Sequence, residues 1–117
     1  MNKWVDNRPG SRYHKEGHVR FEFVSKALLL LYKEERDSRR YAPGVVSSFF
    51  EVMAAIQSAV NENDLRVLKS LHFEKLQGNR QGQISLRLNK QFRLIVEIEE
   101  DNQGKLLRII EIVDYHS

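Results

Sequence analysis

The spacing of apolar and polar positions changes several times along this chain, and each change marks an element. Residues 1–17 are mostly polar or charged, are broken by Pro9, Gly10 and Gly17, and sustain no period. They read as an arm, so residues 1–18 form a polar N-terminal extension to a domain spanning residues 19–117. Val19, Phe21 and Phe23 then alternate with Arg20 and Glu22, the period of a half-buried strand. Ser25 stands where a helix N-cap belongs, and residues 26–35 are helix formers with Leu28, Leu31 and Tyr32 on one side. The charged stretch 33–40 ends that helix. A second helix is predicted over 43–61, because Pro43 suits a first helical turn and Val45, Phe49, Val52, Ile56 and Val60 keep the spacing of one apolar face.

Leu65, Leu68, Leu71 and Leu76 anchor a connecting segment with no single period. Beyond it the period becomes two. Ile84, Leu86 and Leu88 alternate with polar residues over 83–89, Phe92, Leu94, Val96 and Ile98 alternate with Arg93, Ile95, Glu97 and Glu99 over 92–99, and the short link Asn89-Lys90-Gln91 predicts an antiparallel hairpin. Residues 101–104 carry the next turn. Residues 106–115 form a last strand whose centre is apolar on both faces, as expected of a strand inside the sheet. The ending VDYHS is therefore expected to be held in place rather than frayed. The predicted fold class is α+β, a mainly antiparallel twisted sheet with two N-terminal helices packed on one face and the other face open. Alternation sends Ser85, Arg87, Asn89 and Arg93 to the open side, with Tyr115 at the same end of the sheet.

Composition narrows the chemistry. A length of 117 residues allows one domain, and the absence of cysteine excludes disulfides, thiolate zinc sites and a cysteine nucleophile. No apolar run reaches the roughly 18 residues of a membrane span, and residues 1–17 lack the apolar core of a signal peptide, so the chain reads as cytoplasmic and membrane-free. Nineteen basic against sixteen acidic residues give a net charge of +3, which favours encounter with a polyanion. His14 and His18 have i, i+4 spacing, yet Gly17 and the missing apolar face read as a solvated pair rather than a metal site. No cofactor is expected.

An arginine on a strand, a phenol and an imidazole suit a phosphodiester. Arg93 is the first candidate for phosphate charge and Arg87 the second, although Arg93 can instead pair with Glu97 or Glu99. His116 has an intrinsic pKa of about 6.5 and so exchanges protons near neutral pH. Tyr115 can orient a hydroxyl, stack on a base or donate a proton, and Asp114 can hold His116 or an arginine. The bland reading makes Tyr115 core and leaves Asp114 and His116 at a solvated end.

The stretch LQGNRQGQISLRLNKQFRLIVEI, residues 76–98, followed by EIVDYH, residues 111–116, resembles the HigB branch of the RelE/ParE toxin superfamily. The likeness covers residues 19–116 in element order and is most specific over the last forty or so. It implies a RelE-like toxin of a bacterial type II toxin–antitoxin system: an endoribonuclease that cleaves mRNA in the ribosomal A site without metal, by attack of the RNA 2′-hydroxyl on the adjacent phosphate. It also implies a cognate helix-turn-helix antitoxin, HigA-like. Under the resemblance Arg93, Tyr115, His116, Asp114 and Arg87 are the catalytic candidates, and Arg80, Lys75, Lys90, Asn89 and His72 the RNA-binding ones. Two departures leave the general base open. Gln77 stands where relatives have lysine and Glu74 where some have histidine, with Lys75 and His72 as the nearby substitutes. The alternatives are a gyrase-poisoning, ParE-like toxin and an inactive partner-binding member of the same fold.

Overall fold

Ser25 opens the first helix as its position predicts. Its Oγ accepts a hydrogen bond from the Leu28 N–H at 3.1 Å, and α1 runs Lys26–Glu34. The second helix, α2, spans Val45–Ser58, shorter at both ends than the apolar spacing suggests. Gly44 has a φ of 85°, a left-handed turn that no helix accommodates, so Pro43 lies before the first turn and not in it. At the other end Ala59 is extended, and Asn61 caps a separate short helix, α3 (Glu62–Arg66), by accepting from the Asp64 N–H. The computed structural model describes residues 4–8 and 11–115, and His116 lies outside them.

The strands are β1 (Trp4–Arg8), β2 (Arg12–Lys15), β3 (Arg20–Phe23), β4 (Glu74–Lys75), β5 (Gln83–Arg87), β6 (Phe92–Asp101) and β7 (Gly104–Asp114). They form one sheet in the order β1-β2-β3-β7-β6-β5-β4, antiparallel except where β3 runs parallel to β7. The hairpin of β5 and β6 forms as the period predicts, and β7 lies inside the sheet between β3 and β6. Apolar residues of α1 and α2 (Leu28, Leu31, Phe49, Val52, Ile56) share one core with Phe21, Leu86, Leu94, Val96, Leu107 and Ile109 of the sheet. Burying these side chains is the main drive to fold.

Two further features depart from the sequence reading. β1 and β2 pair antiparallel, and β2 joins the pair to β3, instead of forming a loose arm. Tyr13 anchors it, with its ring stacked 5.1 Å from Phe21 and edge-on to Tyr32 at 5.4 Å, and Arg12 pairs with Glu22 at 2.7 Å. A single core aromatic in a polar strand leaves too weak a period to read. In β7, a bulge opposite Ile95 and Val96 inserts Ile110, so Ile109 and Ile112 both turn to the core while Glu111 and Val113 face the open side. Part of the two-faced apolarity of β7 is this extra residue.

Candidate functional site

Cross-strand register assembles the site in rows on the open face. Arg87, Arg93 and Val113 form one row, and Glu74, Ser85, Ile95 and Glu111 the next. The tight turn of the β5–β6 hairpin fixes one end. Asn89 Oδ1 accepts from the N–H groups of Gln91, at 2.9 Å, and Phe92, at 2.8 Å. Gln91 then holds the chain end, donating from Nε2 to Asp114 Oδ2 at 3.0 Å and accepting from the Tyr115 N–H on its carbonyl. Asp114 and Tyr115 are thus pinned to the neighbouring turn.

Arg93 is locked in the same corner. Its Nη1 donates to the carbonyls of Asn89 at 2.7 Å and Phe92 at 3.2 Å, and its guanidinium lies 4.5 Å from the centroid of the Tyr115 ring, a cation–π contact. Neither carboxylate proposed as its competitor reaches it. Glu97 and Glu99 pair with Arg108, at 3.6 and 3.0 Å, within a ladder that continues through Glu22. Among the described residues no carboxylate neutralises Arg93, so a fixed, half-buried positive charge lies against an aromatic face.

Beside Tyr115 opens a cleft of about 330 Å³. Ser85, Ile95 and Val113 form its floor, with Tyr115 on one side and the segment 76–80 on the other. Arg80 stands in that second wall. It donates from Nη1 to Gln83 Oε1 at 2.8 Å and from Nη2 to Glu111 Oε2 at 2.9 Å. An exposed pair of this kind is weak, so an incoming phosphate can compete for the guanidinium.

The remaining candidates are distributed around this cleft or away from it. Lys75 pairs with Ile84 and so faces the opposite side of the sheet from Ser85. It lines a separate groove with Glu62, Gln81 and Ile98. Arg87 lies opposite Arg93 in register but lines a groove against α2 with Ser48 and Glu51. His72 is exposed, with a φ of 44°, at the end of the turn 69–71, and Lys90 is exposed in the hairpin turn. Asn89 is committed through its side chain to the turn and through its carbonyl to Arg93. The structure therefore brings together Arg93, Asp114, Tyr115 and Arg80, with Arg87 beside Arg93 but outside the cleft lining and Lys75 on the opposite side of the sheet. Sequence reasoning passed over Glu111, Asn79 and the depth of Ser85; their only signal was a polar residue at an alternate strand position or beside a glycine.

A family model described as the RelE-like toxin of the type II toxin–antitoxin system HigB matches residues 21–116. The chain belongs to the HigB-like toxin family. This HigB-like toxin is 34% identical over 76 residues to Toxin HigB-1 of Vibrio cholerae, covering 65% of this chain and 80% of the relative. The fold matches that of a YoeB/ParE toxin from Agrobacterium tumefaciens (TM-score 0.52, 15% identity, 82% of this chain and 98% of the other). It also matches YafQ from E. coli (TM-score 0.52, 16% identity, 83% and 93%) and a chain of the YoeB–YefM complex of Staphylococcus aureus (TM-score 0.50, 19% identity, 86% and 99%). The expected α+β, RelE-like fold is the one observed. Among the described residues, no helix is long and apolar enough to cross a membrane.

Proposed function

We propose that this HigB-like toxin is a cytoplasmic endoribonuclease that cuts ribosome-bound mRNA by metal-independent attack of a 2′-hydroxyl. The observation that carries the reading is the Arg93–Tyr115 pair at the edge of the cleft: a rigid guanidinium with no carboxylate partner among the described residues, stacked on a phenol ring. In the reaction the 2′-oxygen attacks the adjacent phosphorus, the bond to the 5′-oxygen breaks, and the products are a 2′,3′-cyclic phosphate and a free 5′-hydroxyl. One proton leaves the 2′-hydroxyl and one reaches the departing 5′-oxygen.

Each group has a role matched to its chemistry. Arg93 stabilises the negative charge that builds on the phosphate oxygens, and it needs no reorganisation because two carbonyls and a ring already hold it. Tyr115 offers its ring to a base or its hydroxyl to the ribose. His116, which follows Tyr115 directly, is the proton-exchanging group, and Asp114 orients it. Arg80 supplies the second phosphate contact from the opposite wall. Lys75 faces away from the cleft, and the intrinsic pKa of His116 suits it to the role of general base. Arg87, Lys90, Asn89 and His72 lie in or near the surroundings of the site and contact RNA peripherally, if the bound strand extends past the cleft. A cognate helix-turn-helix antitoxin, HigA-like, holds the toxin inactive.

End-group analysis of the RNA products tests this reading. Cleavage of a defined mRNA in EDTA, with and without programmed ribosomes, is expected to leave cyclic phosphate and 5′-hydroxyl ends and to require the ribosome. Ends bearing a 5′-phosphate, or cutting that EDTA abolishes, contradict it.

A further inference from the structure

Ser85 sits in the floor of the cleft with only 1% of its surface exposed, in a row with Ile95 and Glu111. Its Oγ is the one buried side-chain polar atom without a hydrogen-bond partner among the described residues. A serine on a strand ordinarily turns its hydroxyl to a carbonyl, a neighbouring side chain or solvent, since an unsatisfied buried hydroxyl is destabilising. Here the neighbours within the row are an isoleucine and two carboxylates that turn elsewhere: Glu111 accepts from Arg80, and Glu74 is exposed at the sheet edge. Ser85 lines the cleft between the arginine of one wall and the phenol of the other, and its hydroxyl is covered there with no partner inside the protein.

The geometry points to Ser85 as a substrate-contacting residue, whose hydroxyl donates a hydrogen bond to a non-bridging phosphate oxygen of the RNA strand lying in the cleft. This inference rests on the nuclease reading above and adds a contact to it. A phosphate is the fitting acceptor because Arg80 flanks the same floor, and a small neutral donor there holds the anion without adding a buried charge. Arg80 then exchanges Glu111 for the second phosphate oxygen, so the two donors grip the anion from floor and wall. An unsatisfied group retained at a binding site is a known trade of stability for function.

The trade gives the test its sign. Ser85→Ala removes an oxygen that bonds to nothing inside the protein, so its Tm is expected to be unchanged or raised by up to about 4 °C. Its kcat/KM for mRNA cleavage on programmed ribosomes is expected to fall about tenfold, the usual effect of deleting one hydrogen bond to a charged group. Ser85→Cys, of similar size but with a weaker donor, is expected to lie between. Wild-type cleavage with a lowered Tm would mean that the hydroxyl is a structural bond and would overturn the inference, as would wild-type cleavage with an unchanged Tm or a parallel loss of both. If the wild-type protein cuts no RNA, the nuclease reading fails by itself, and Ser85 is judged by binding of a 2′-O-methyl RNA. Tenfold weaker binding by Ser85→Ala sustains the contact, whereas equal affinity, or no binding by wild type, overturns it.

Discussion

At the scale of single residues, the site depends on how Arg93 and Tyr115 hold each other. The ring supplies the cation–π surface and the hydroxyl supplies donor chemistry, so two substitutions separate them. Tyr115→Phe is expected to keep the fold and leave RNA binding within about threefold while cleavage falls further. Tyr115→Leu, which loses the ring, is expected to weaken both by about tenfold or more, since base and guanidinium stacking contribute of order 1–3 kcal/mol per contact. Single-turnover cleavage and filter binding read the two quantities. Equal cleavage by Tyr115→Phe and wild type would leave only stacking for Tyr115. The aromatic and basic character of this corner was legible in the sequence, as was the place of Arg93 on the open face at the same end of the sheet as Tyr115. Ser85 was placed on the open side, but its burial was hidden, because an alternate polar position on a strand reads as solvent-facing until the segment 76–80 is seen to form a wall beside it.

At the scale of elements, the β5–β6 hairpin does most of the positioning. Asn89 organises its turn, presents a carbonyl to Arg93 and, through Gln91, secures Asp114 and Tyr115. Asn89→Ala removes two side-chain hydrogen bonds and is expected to cost about 1 kcal/mol in urea unfolding, because the turn is partly solvated. Its cleavage rate is expected to fall by more than that stability loss explains, since Arg93 loses its fixed position. Unchanged cleavage would separate the turn from the site. At the far end of β6, buried Arg20 clamps the β6–β7 turn, donating to both oxygens of Asp101 at 2.6 and 3.1 Å and to the Gly104 carbonyl at 2.9 Å. The Arg20 hydrogen bonds, helped by the Gln103 N–H, hold the Asp101 carboxyl below its ordinary value. A depressed carboxylate stabilises the fold fully above its unfolded pKa of about 3.9 and loses that contribution as pH falls through the lower folded value. Asp101→Asn is therefore expected to lower Tm at pH 7 and to narrow its gap from wild type at pH 2–3. A gap independent of pH would contradict the ion pair's role. The hairpin was legible because its period of two is strict. The two-residue strand β4 was not, because Glu74 and Lys75 carry no apolar pattern and pair only where β5 offers an edge.

At the scale of the whole molecule, the helices and one sheet face enclose the core, which leaves the other face free for a charged ladder and the cleft. The layer arrangement followed from the change of period between residues 60 and 83, and the central place of β7 followed from its apolar run. The extent of the sheet did not, since β2 is polar apart from Tyr13, the residue by which it packs against the core. Tyr13→Ala is expected to destabilise the protein by about 2 kcal/mol in urea, because a half-buried ring stacked on Phe21 is lost, while cleavage by the folded fraction stays near wild type. A loss of activity without loss of stability would instead tie the N-terminal strands to the substrate or the ribosome.

The most direct measurement is the single-turnover rate of cleavage of ribosome-bound mRNA in EDTA for wild type and Arg93→Ala, with Tm recorded for both. Cleavage by wild type and a fall of about 10²–10³ in Arg93→Ala, at similar Tm, is the predicted result, matching the loss of one preorganised charge at a developing anion. Equal rates in the two proteins would contradict an active site built on Arg93.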